Sequence, residues 1–260
     1  LHDFSTFKKL ITTGVYEFHL SYQECASGDL VGALKFIDKS DHISIHLPDY
    51  IPGNVIMDPI SRSDGTKSES RKIITKVTAF AESIRQKIGR EVPIVGSFSQ
   101  TSGRQKNDVL DELFGFLDDN ECKNFQILPQ WLPVYAWYFG GAVKLDLFNS
   151  LEDIEYITKN SRSICLDVCH LSLSAKYANQ NWRKWYEMLV PFNKHLHLAD
   201  AEGVDGEGLP LGEGDIGDFR QFLNADCLKI LEVWQGHFNQ GEGFLEALDN
   251  LFNRSNLNEK

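Results

Sequence analysis

Short apolar runs alternate along the chain with longer amphipathic stretches. Most of these runs are uniformly apolar, as in parallel strands that are covered on both faces. The predicted strands are Val15–Leu20, Ile43–Leu47, Pro93–Ser97, Phe125–Leu128, Ser163–Val168, His195–Ala199 and Leu228–Val233. The predicted helices, with apolar residues at helical spacing, are Phe4–Ile11, Leu30–Asp38, Ser70–Lys87, Asn107–Leu117, Leu151–Lys159, Trp182–Val190 and Gly243–Asn253.

The repeated order of strand and helix predicts an α/β fold with right-handed crossovers and a parallel sheet. A chain of 260 residues suits a (β/α) TIM-type barrel. Seven strands are recognisable, which leaves a barrel of seven or eight strands open. Because no repeat or linker divides the sequence, we expect one domain over residues 1–260. A first residue other than Met is compatible with a segment of a longer protein.

Composition narrows the classes of partner. The net charge of -11 argues against nucleic acid, since proteins that track phosphates usually carry a basic face. No apolar run approaches the ~20 residues of a membrane helix. The five cysteines include no CxxC pair, so we expect reduced thiols, no cysteine-based zinc site and a cytoplasmic protein. The expected partners therefore exclude nucleic acid and membranes.

Polar residues interrupt the apolar strands near their ends. In parallel barrels the chemistry lies at the carboxyl ends of the strands, where we find Asp167, His197 and Glu232. Any one of them could be an ordinary hydrogen-bonded residue, but buried carboxylates together require a cation or another partner. Oxygen and imidazole ligands suit Mn²⁺, Mg²⁺, Co²⁺ or Zn²⁺. We therefore expect these three side chains to bind one divalent metal.

Motifs in the last third of the chain resemble a known family. The step Asp167-x-x-His170, the strand His197-Leu-Ala-Asp200 and the later Glu232 resemble the sugar isomerase/epimerase superfamily of xylose-isomerase-like barrels. The glycine-rich loop at residues 203–216 is similar to that of barrel domains fused to sialic-acid-synthase-type enzymes (N-acetylneuraminate synthases) of nonulosonate biosynthesis. The resemblance implies a small sugar substrate and a metal-dependent isomerase or epimerase.

The resemblance also implies roles for individual residues. Family members bind their metal through a Glu, an Asp, a His and a second Glu, and the last three match Asp167, His197 and Glu232. Gln130 stands where the first Glu is expected. The matches to substrate-contacting residues are Glu17, His46 and His170, with Glu207 of the glycine-rich loop as a further candidate.

Gln130 is a departure with chemical consequences. Family isomerases and epimerases transfer protons through a metal-bound enediolate, with two carboxylates as acid and base. An amide oxygen can bind a metal but cannot accept the proton. Glu232 therefore remains as the matched catalytic base, with His170 orienting a substrate hydroxyl. A second acid among Glu207, Asp205 and Glu17, a one-base reaction, or loss of catalysis all stay open.

Three hypotheses follow. The first is a divalent-metal-dependent sugar isomerase or epimerase, with a role in nonulosonate biosynthesis. The second is a non-catalytic sugar-binding accessory domain, covalently fused to a synthase. The third is a metal-dependent phosphodiesterase of the AP-endonuclease kind, which Asp205-x-Glu207 weakens because that branch has Asp-x-His there. The oligomeric state is not predicted.

Aromatic residues give a weaker signal. Trp131, Trp137 and Tyr138 precede a Gly-Gly pair, and either sugar stacking or packing under a loop would explain them. Trp182 and Trp185 lie three residues apart in a predicted helix, which favours a core position.

Overall fold

A computed structural model of the protein describes residues 4–27, 29–119 and 125–253. Parallel strands occupy its centre. We label them β1 Val15–His19, β2 His42–His46, β3 Ile94–Gly96, β4 Ile127–Pro129, β5 Ile164–Asp167, β6 Asn193–Leu198 and β7 Leu228–Leu231. Each lies within or overlaps one predicted strand.

These strands are arranged as the ring of a barrel. β1, β2, β3 and β4 pair in that order, and β5, β6 and β7 form a second parallel set. A parallel bridge between Gln130 and Cys165 joins β4 to β5, and β7 lies beside β1 at the remaining seam. No eighth strand enters this ring within the described ranges. The α/β barrel prediction is confirmed.

The helices lie outside the strands, and most of them bury one face. They are α1 Phe4–Leu10, α2 Tyr22–Ser27, α3 Asp64–Ile88, α4 Lys106–Asp118, α5 Leu151–Asn160, α6 Val168–Tyr177, α7 Trp182–Leu189 and α8 Phe238–Asn253. Local sequence sets their limits: Ser63 caps the amide of Thr66 at the start of α3, and Gly89 ends that helix with a positive φ of 72°. In the described part of the chain, no helix combines the length and apolarity that crossing a bilayer requires.

One helix prediction is wrong, and two helices were missed. The predicted helix Leu30–Asp38 is a 3₁₀ helix at Asp29–Phe36, in a short segment where Gly32 weakens an α-helix. Helix α2 was not predicted, and neither was α6. Helix α6 begins directly after β5, and its residues 168–175 are all buried, so it lacks the amphipathic stripe that marks a surface helix.

Among the described residues, three antiparallel hairpins, none of them predicted, follow barrel strands. They pair Tyr50–Ile51 with Val55–Ile56 after β2, Tyr135–Tyr138 with Gly141–Lys144 after β4, and Asp200–Glu202 with Gly206–Leu209 after β6. The second turns at Phe139 and Gly140, whose φ values of 57° and 81° are typical of a type I′ turn. All three hairpins contribute residues to the cavity described below.

The cysteines remain free thiols in the described ranges. Cys25, Cys165 and Cys169 are buried, and Cys227 is partly buried. Burial raises the pKa of the Cys165 thiol to about 12, so it stays protonated near neutral pH. Cys122 lies outside the described residues.

Candidate metal and substrate site

A cavity of about 330 Å³ opens at the carboxyl ends of the barrel strands. That volume lies near the lower end of the ~300–1,000 Å³ range of small-molecule sites. Its lining combines acids, histidines and aromatic rings: His19, His46, Asp49, Tyr50, Ser97, Gln130, Leu132, Pro133, Ala136, Trp137, Tyr138, Asp167, Cys169, His170, Ala199, Glu207, Gly208, Glu232, Val233 and Trp234.

Three predicted metal ligands converge at the floor of this cavity. One ligand atom from each of Asp167, His197 and Glu232 lies within 4.8 Å of the other two. The Nδ1 atom of His197 is 2.6 Å from Glu232 Oε2 and 3.9 Å from Asp167 Oδ2. Side chains from β5, from β6 and from the residue after β7 thus meet at one point, with the donor types that a divalent cation prefers.

Gln130 lies at the centre of this group. Its Nε2 atom is 3.1 Å from Asp167 Oδ2, 3.1 Å from His197 Nδ1 and 3.3 Å from Glu232 Oε2. The amide group, 2% exposed, therefore faces all three candidate ligands. In this orientation it donates to the carboxylates of Asp167 and Glu232, which would otherwise share a cation. The Nδ1 atom of His197 lies 2.6 Å from Glu232 Oε2, so it carries its own hydrogen and cannot accept one from the amide.

The other side of the amide faces His46. The Nδ1 atom of His46 lies 2.7 Å from the Leu47 carbonyl, which can only accept, so Nδ1 carries the hydrogen. Burial and the positive charge of His19 lower the pKa of His46, and a neutral ring with Nδ1–H has an acceptor at Nε2. That acceptor is 2.9 Å from Gln130 Oε1, also an acceptor. Rotating the amide by 180° removes this conflict.

The rotated amide suits a bound cation. Its Nε2 would donate to His46 and to the Ser97 hydroxyl, which lies 3.0 Å from the present Oε1 position. Its Oε1 would face Asp167 and Glu232, where an oxygen between carboxylates needs a cation beside it. The residues present therefore fit a divalent metal held by Gln130, Asp167, His197 and Glu232.

Asp167 is both a predicted metal ligand and the N-cap residue of helix α6. It ends β5 and caps α6, with Oδ1 accepting the backbone N–H of His170 at 3.0 Å. Burial raises the pKa of the Asp167 carboxyl to about 7, although His170 and His197 act to lower it. Because the hydrogen bond of this cap ties Asp167 to the first turn of α6, both Asp167 and His170 are held in the cavity wall.

His170 pairs with the predicted loop acid Glu207. The Nε2 atom of His170 is 2.9 Å from Glu207 Oε1, and Nδ1 is 3.0 Å from the Trp131 carbonyl. Both ring nitrogens therefore donate, which requires the protonated ring. Burial alone would lower the pKa of His170, but the charge of Asp167 and the hydrogen bond to Glu207 raise it to about 10.

Glu17 does not line the cavity. Its carboxylate is buried behind His197, with Oε1 3.0 Å from His197 Nε2 and Oε2 2.9 Å from His195 Nε2. The Ser44 hydroxyl donates to the same Oε2 at 2.8 Å. Burial raises the pKa of Glu17, but the two histidines outweigh it and hold that pKa well below its usual range. The expected substrate contact is thus replaced by a contact with a metal-group histidine.

Two charged groups of the cavity, His19 and Asp49, were not among the predicted site residues. The ring of His19, at the end of β1, stacks on that of His46 with centroids 4.1 Å apart. It also faces Asp49 at 3.9 Å and Glu232 at 3.7 Å. Burial lowers the pKa of His19, but the hydrogen bond and charge of Asp49 lead the contributions that raise it to about 9. The position of Asp49, directly after β2, was the available signal.

The glycine-rich loop is held by one buried side chain. Oδ2 of Asp200 accepts the N–H groups of Gly212 and Gly214, and Oδ1 accepts those of Ala201 and Ile216. A Cβ atom on Gly214 would lie 2.3 Å from the Ala201 carbonyl oxygen, so the loop requires glycine there. Asp200 is a structural anchor for the hairpin that carries Glu207.

Of the other loop and aromatic candidates, some reach the cavity and some do not. Asp205 is exposed and does not line it. Trp137 and Tyr138 do, and stacking of these two rings on a sugar stays a prediction. Trp131, fully buried with its indole N–H donating to the Ser174 hydroxyl at 2.9 Å, packs against Trp185, as the packing interpretation predicts.

Comparisons with known proteins agree with this architecture. The model of the family described as "Xylose isomerase-like TIM barrel" matches residues 35–254. No curated protein sequence matches the chain.

Solved structures show the same fold at low sequence identity. A D-tagatose 3-epimerase-like protein has a TM-score of 0.58 at 16% identity, covering 95% of this chain and 96% of its own. A probable 3-DHS dehydratase from Bacillus anthracis has a TM-score of 0.60 at 16% identity, covering 96% and 93%. A 3-keto-D-glucoside 4-epimerase from E. coli has a TM-score of 0.54 at 13% identity, covering 86% of each chain.

Proposed function

Since the chain belongs to the xylose isomerase-like TIM barrel family, we propose that it is a divalent-metal-dependent isomerase or epimerase of a small sugar or sugar derivative. The observation that carries the proposal is the convergence of Asp167, His197 and Glu232 within 4.8 Å at the floor of the cavity. Sugar epimerases among the solved structures with this fold support the same class of reaction.

The metal would be held by Asp167, His197, Glu232 and the rotated amide of Gln130. When bound, a divalent cation polarises a substrate carbonyl and stabilises negative charge on its oxygen. Glu17 contacts the far nitrogen of His197, and a carboxylate in this position fixes the tautomer and orientation of a ligand histidine. We propose Glu17 as a positioning residue on these grounds.

Proton transfer is assigned to carboxylates on the cavity wall. Burial raises the pKa of Glu232, but the charges of His197 and His19 outweigh it and hold the pKa far below its usual range, so Glu232 is ionised and can accept a proton at Oε1 or Oε2. Among the proposed second acids, only Glu207 lines the cavity. We assign it the second proton transfer, with His170 holding its carboxylate in place.

Two histidines have supporting roles in this scheme. His170 donates from its protonated Nε2 to Glu207, and a substrate hydroxyl could replace Glu207 as the acceptor. His46 holds the amide of Gln130 through Nε2 and stacks against His19. Both rings therefore orient groups at the reaction centre rather than accepting the substrate proton.

A second function rests on Gln130 itself. Because the amide cannot accept a proton, the site has one fewer base than the family pattern, which favours a non-catalytic sugar-binding domain. Such a domain could be fused to a sialic-acid-synthase-type protein of nonulosonate biosynthesis. The phosphodiesterase hypothesis has less support, since the described residues that line the cavity include no Lys or Arg that could bind phosphate.

Solvent exchange tests the proposal directly. Metal-loaded protein is incubated in D₂O with a panel of ketoses and aldoses, and NMR follows deuterium entry beside the carbonyl. The proposal expects exchange that Glu232→Gln reduces by at least about 10²-fold and that the exposed control Glu213→Gln leaves unchanged. Sugar binding without any exchange across the panel would favour the accessory-domain function instead.

A further inference from the structure

Acidic side chains dominate the charged residues that line the cavity. Asp49, Asp167, Glu207 and Glu232 place four carboxyl groups around it, and no Lys or Arg is among its lining residues, all of which lie in the described part of the chain. A phosphate or carboxylate substituent is normally bound by Arg, Lys or a helix N-terminus. A substrate bearing such a group would meet several carboxylates here and no side chain of fixed positive charge.

The histidines of the wall are already engaged. His170 donates to Glu207 and to the Trp131 carbonyl. His46 contacts the Leu47 carbonyl and Gln130. His19 lies between Asp49 and Glu232, at 3.9 Å and 3.7 Å. Binding an anion through these rings would require breaking contacts with groups of the same negative charge.

Aromatic rings also line the cavity wall. Tyr50, Trp137, Tyr138 and Trp234 all line the cavity. Trp137 and Trp234 are 58% and 60% exposed, which leaves apolar ring faces in contact with water, as is common at binding sites. Such rings pack well against the C–H faces of a sugar ring.

Contacts with neighbouring loops fix the positions of Trp137 and Trp234. Trp137 lies on the hairpin that turns at Phe139, whose ring packs edge-on against Tyr50 with centroids 5.5 Å apart. The backbone N–H of Trp234 donates to the Gly208 carbonyl at 2.7 Å. A Cβ atom on Gly208 would lie 2.9 Å from Trp234 Cβ, so glycine allows Trp234 to approach the loop.

We propose that the site takes an uncharged, unphosphorylated sugar, with its hydroxyls among the acids and histidines and its ring against Trp137 and Trp234. This inference rests on the proposed function and narrows it to one substrate class. The cavity of about 330 Å³ has room for a molecule of monosaccharide size.

Binding to matched pairs of ligands tests the inference. The Mn²⁺-loaded full chain is titrated by calorimetry with D-fructose and D-fructose 6-phosphate, D-tagatose and D-tagatose 6-phosphate, and D-xylulose and D-xylulose 5-phosphate. We expect a free sugar to bind at least about tenfold more tightly than its phosphate ester. Equal or tighter binding of the esters, or no binding of any free sugar, would overturn the inference.

Aromatic variants provide the second measurement. Trp137→Leu and Trp234→Leu should each weaken binding of the free sugar by about tenfold. Phe252→Leu is the matched control, since Phe252 is 59% exposed but lies outside the cavity. Unchanged affinity in both tryptophan variants would overturn the stacking assignment.

Deuterium exchange in the same samples separates the two proposals. If phosphate esters bind better and exchange deuterium through Glu232, the substrate-class inference fails and the proposed function stands. If free sugars bind at the tryptophans without exchange, the inference stands and the isomerase function fails.

Discussion

His197 connects two carboxylates that lie on different sides of the barrel floor. Its Nδ1 is 2.6 Å from Glu232 Oε2, in the cavity, and its Nε2 is 3.0 Å from Glu17 Oε1, in the buried interior. Burial alone would lower the pKa of His197, but the negative charges that face the ring raise it well above its usual range. Because the ring contacts both carboxylates, Glu17 affects how His197 is oriented toward the other predicted metal ligands.

Glu17→Gln should weaken metal binding without removing a ligand. The amide can no longer accept from both His195 and His197 with full charge, so His197 loses its fixed orientation. We expect metal affinity to fall by about 10- to 100-fold, measured by calorimetric titration with Mn²⁺. The exposed Glu155→Gln variant is the control, and equal affinity in the two variants would show that Glu17 does not position His197.

Gln130→Glu should strengthen metal binding and lower the stability of the metal-free protein. A carboxylate adds a charged ligand, so metal affinity should rise by about tenfold or more. Without metal, the same change removes the N–H donors that face Asp167 and Glu232, and we expect a loss of ~2–3 kcal/mol in unfolding free energy. Urea unfolding with and without Mn²⁺ measures both, and a variant equally stable in metal-free form would contradict the assigned amide contacts.

The metal-free protein should lose stability as pH rises above neutral. The pKa of His170 is raised to about 10 in the folded chain by Asp167 and Glu207, against burial, and is near 6.5 in the unfolded chain. A raised pKa gives stability that is complete below pH ~6.5 and is lost progressively as pH rises from there to about 10. Thermal unfolding over this window measures the slope.

Glu207→Gln should flatten that slope, since it removes one of the two carboxylates that hold the proton on His170. Glu213→Gln, an exposed change in the same loop, should leave the slope intact. Identical slopes in wild type and Glu207→Gln would remove the His170–Glu207 pair from the account.

Asp200→Ala should loosen the loop at residues 203–216. Four backbone N–H groups lose their acceptor, which predicts a loss of ~3 kcal/mol or more in unfolding free energy. Limited proteolysis should then cut the loop faster, and sugar affinity should fall because Glu207 is displaced. Asp205→Ala, at an exposed position of the same loop, should change neither result.

The barrel strands could be predicted because each is an uninterrupted apolar run. Ile43, Ile45 and Leu47 are fully buried, and hydrophobic periodicity reports burial. Helix α6 could not be predicted from periodicity, because its residues 168–175 are all buried. Without an exposed polar face, such a segment shows no helical pattern of apolar and polar residues. The hairpins were missed since they consist of short strands at the cavity edge, where pairing depends on the barrel beneath them.

The candidate site could be predicted only in part. Asp167, His197 and Glu232 stand out because charged groups in apolar strands require partners. Glu17 has the same signal, yet its contact with His195 of β6 spans 178 residues. Sequence spacing does not show which side of the floor a carboxylate occupies. Trp234 and Asp49 lie two or three residues beyond strand ends, in loops whose direction depends on tertiary contacts.

Anomalous diffraction from crystals soaked in Mn²⁺ tests the central claim most directly. We expect one strong peak at the cavity floor, in contact with Asp167, His197 and Glu232, with the Gln130 amide oxygen turned toward it. No peak at this position, or peaks only at surface carboxylates, would contradict the metal site and the isomerase function that depends on it.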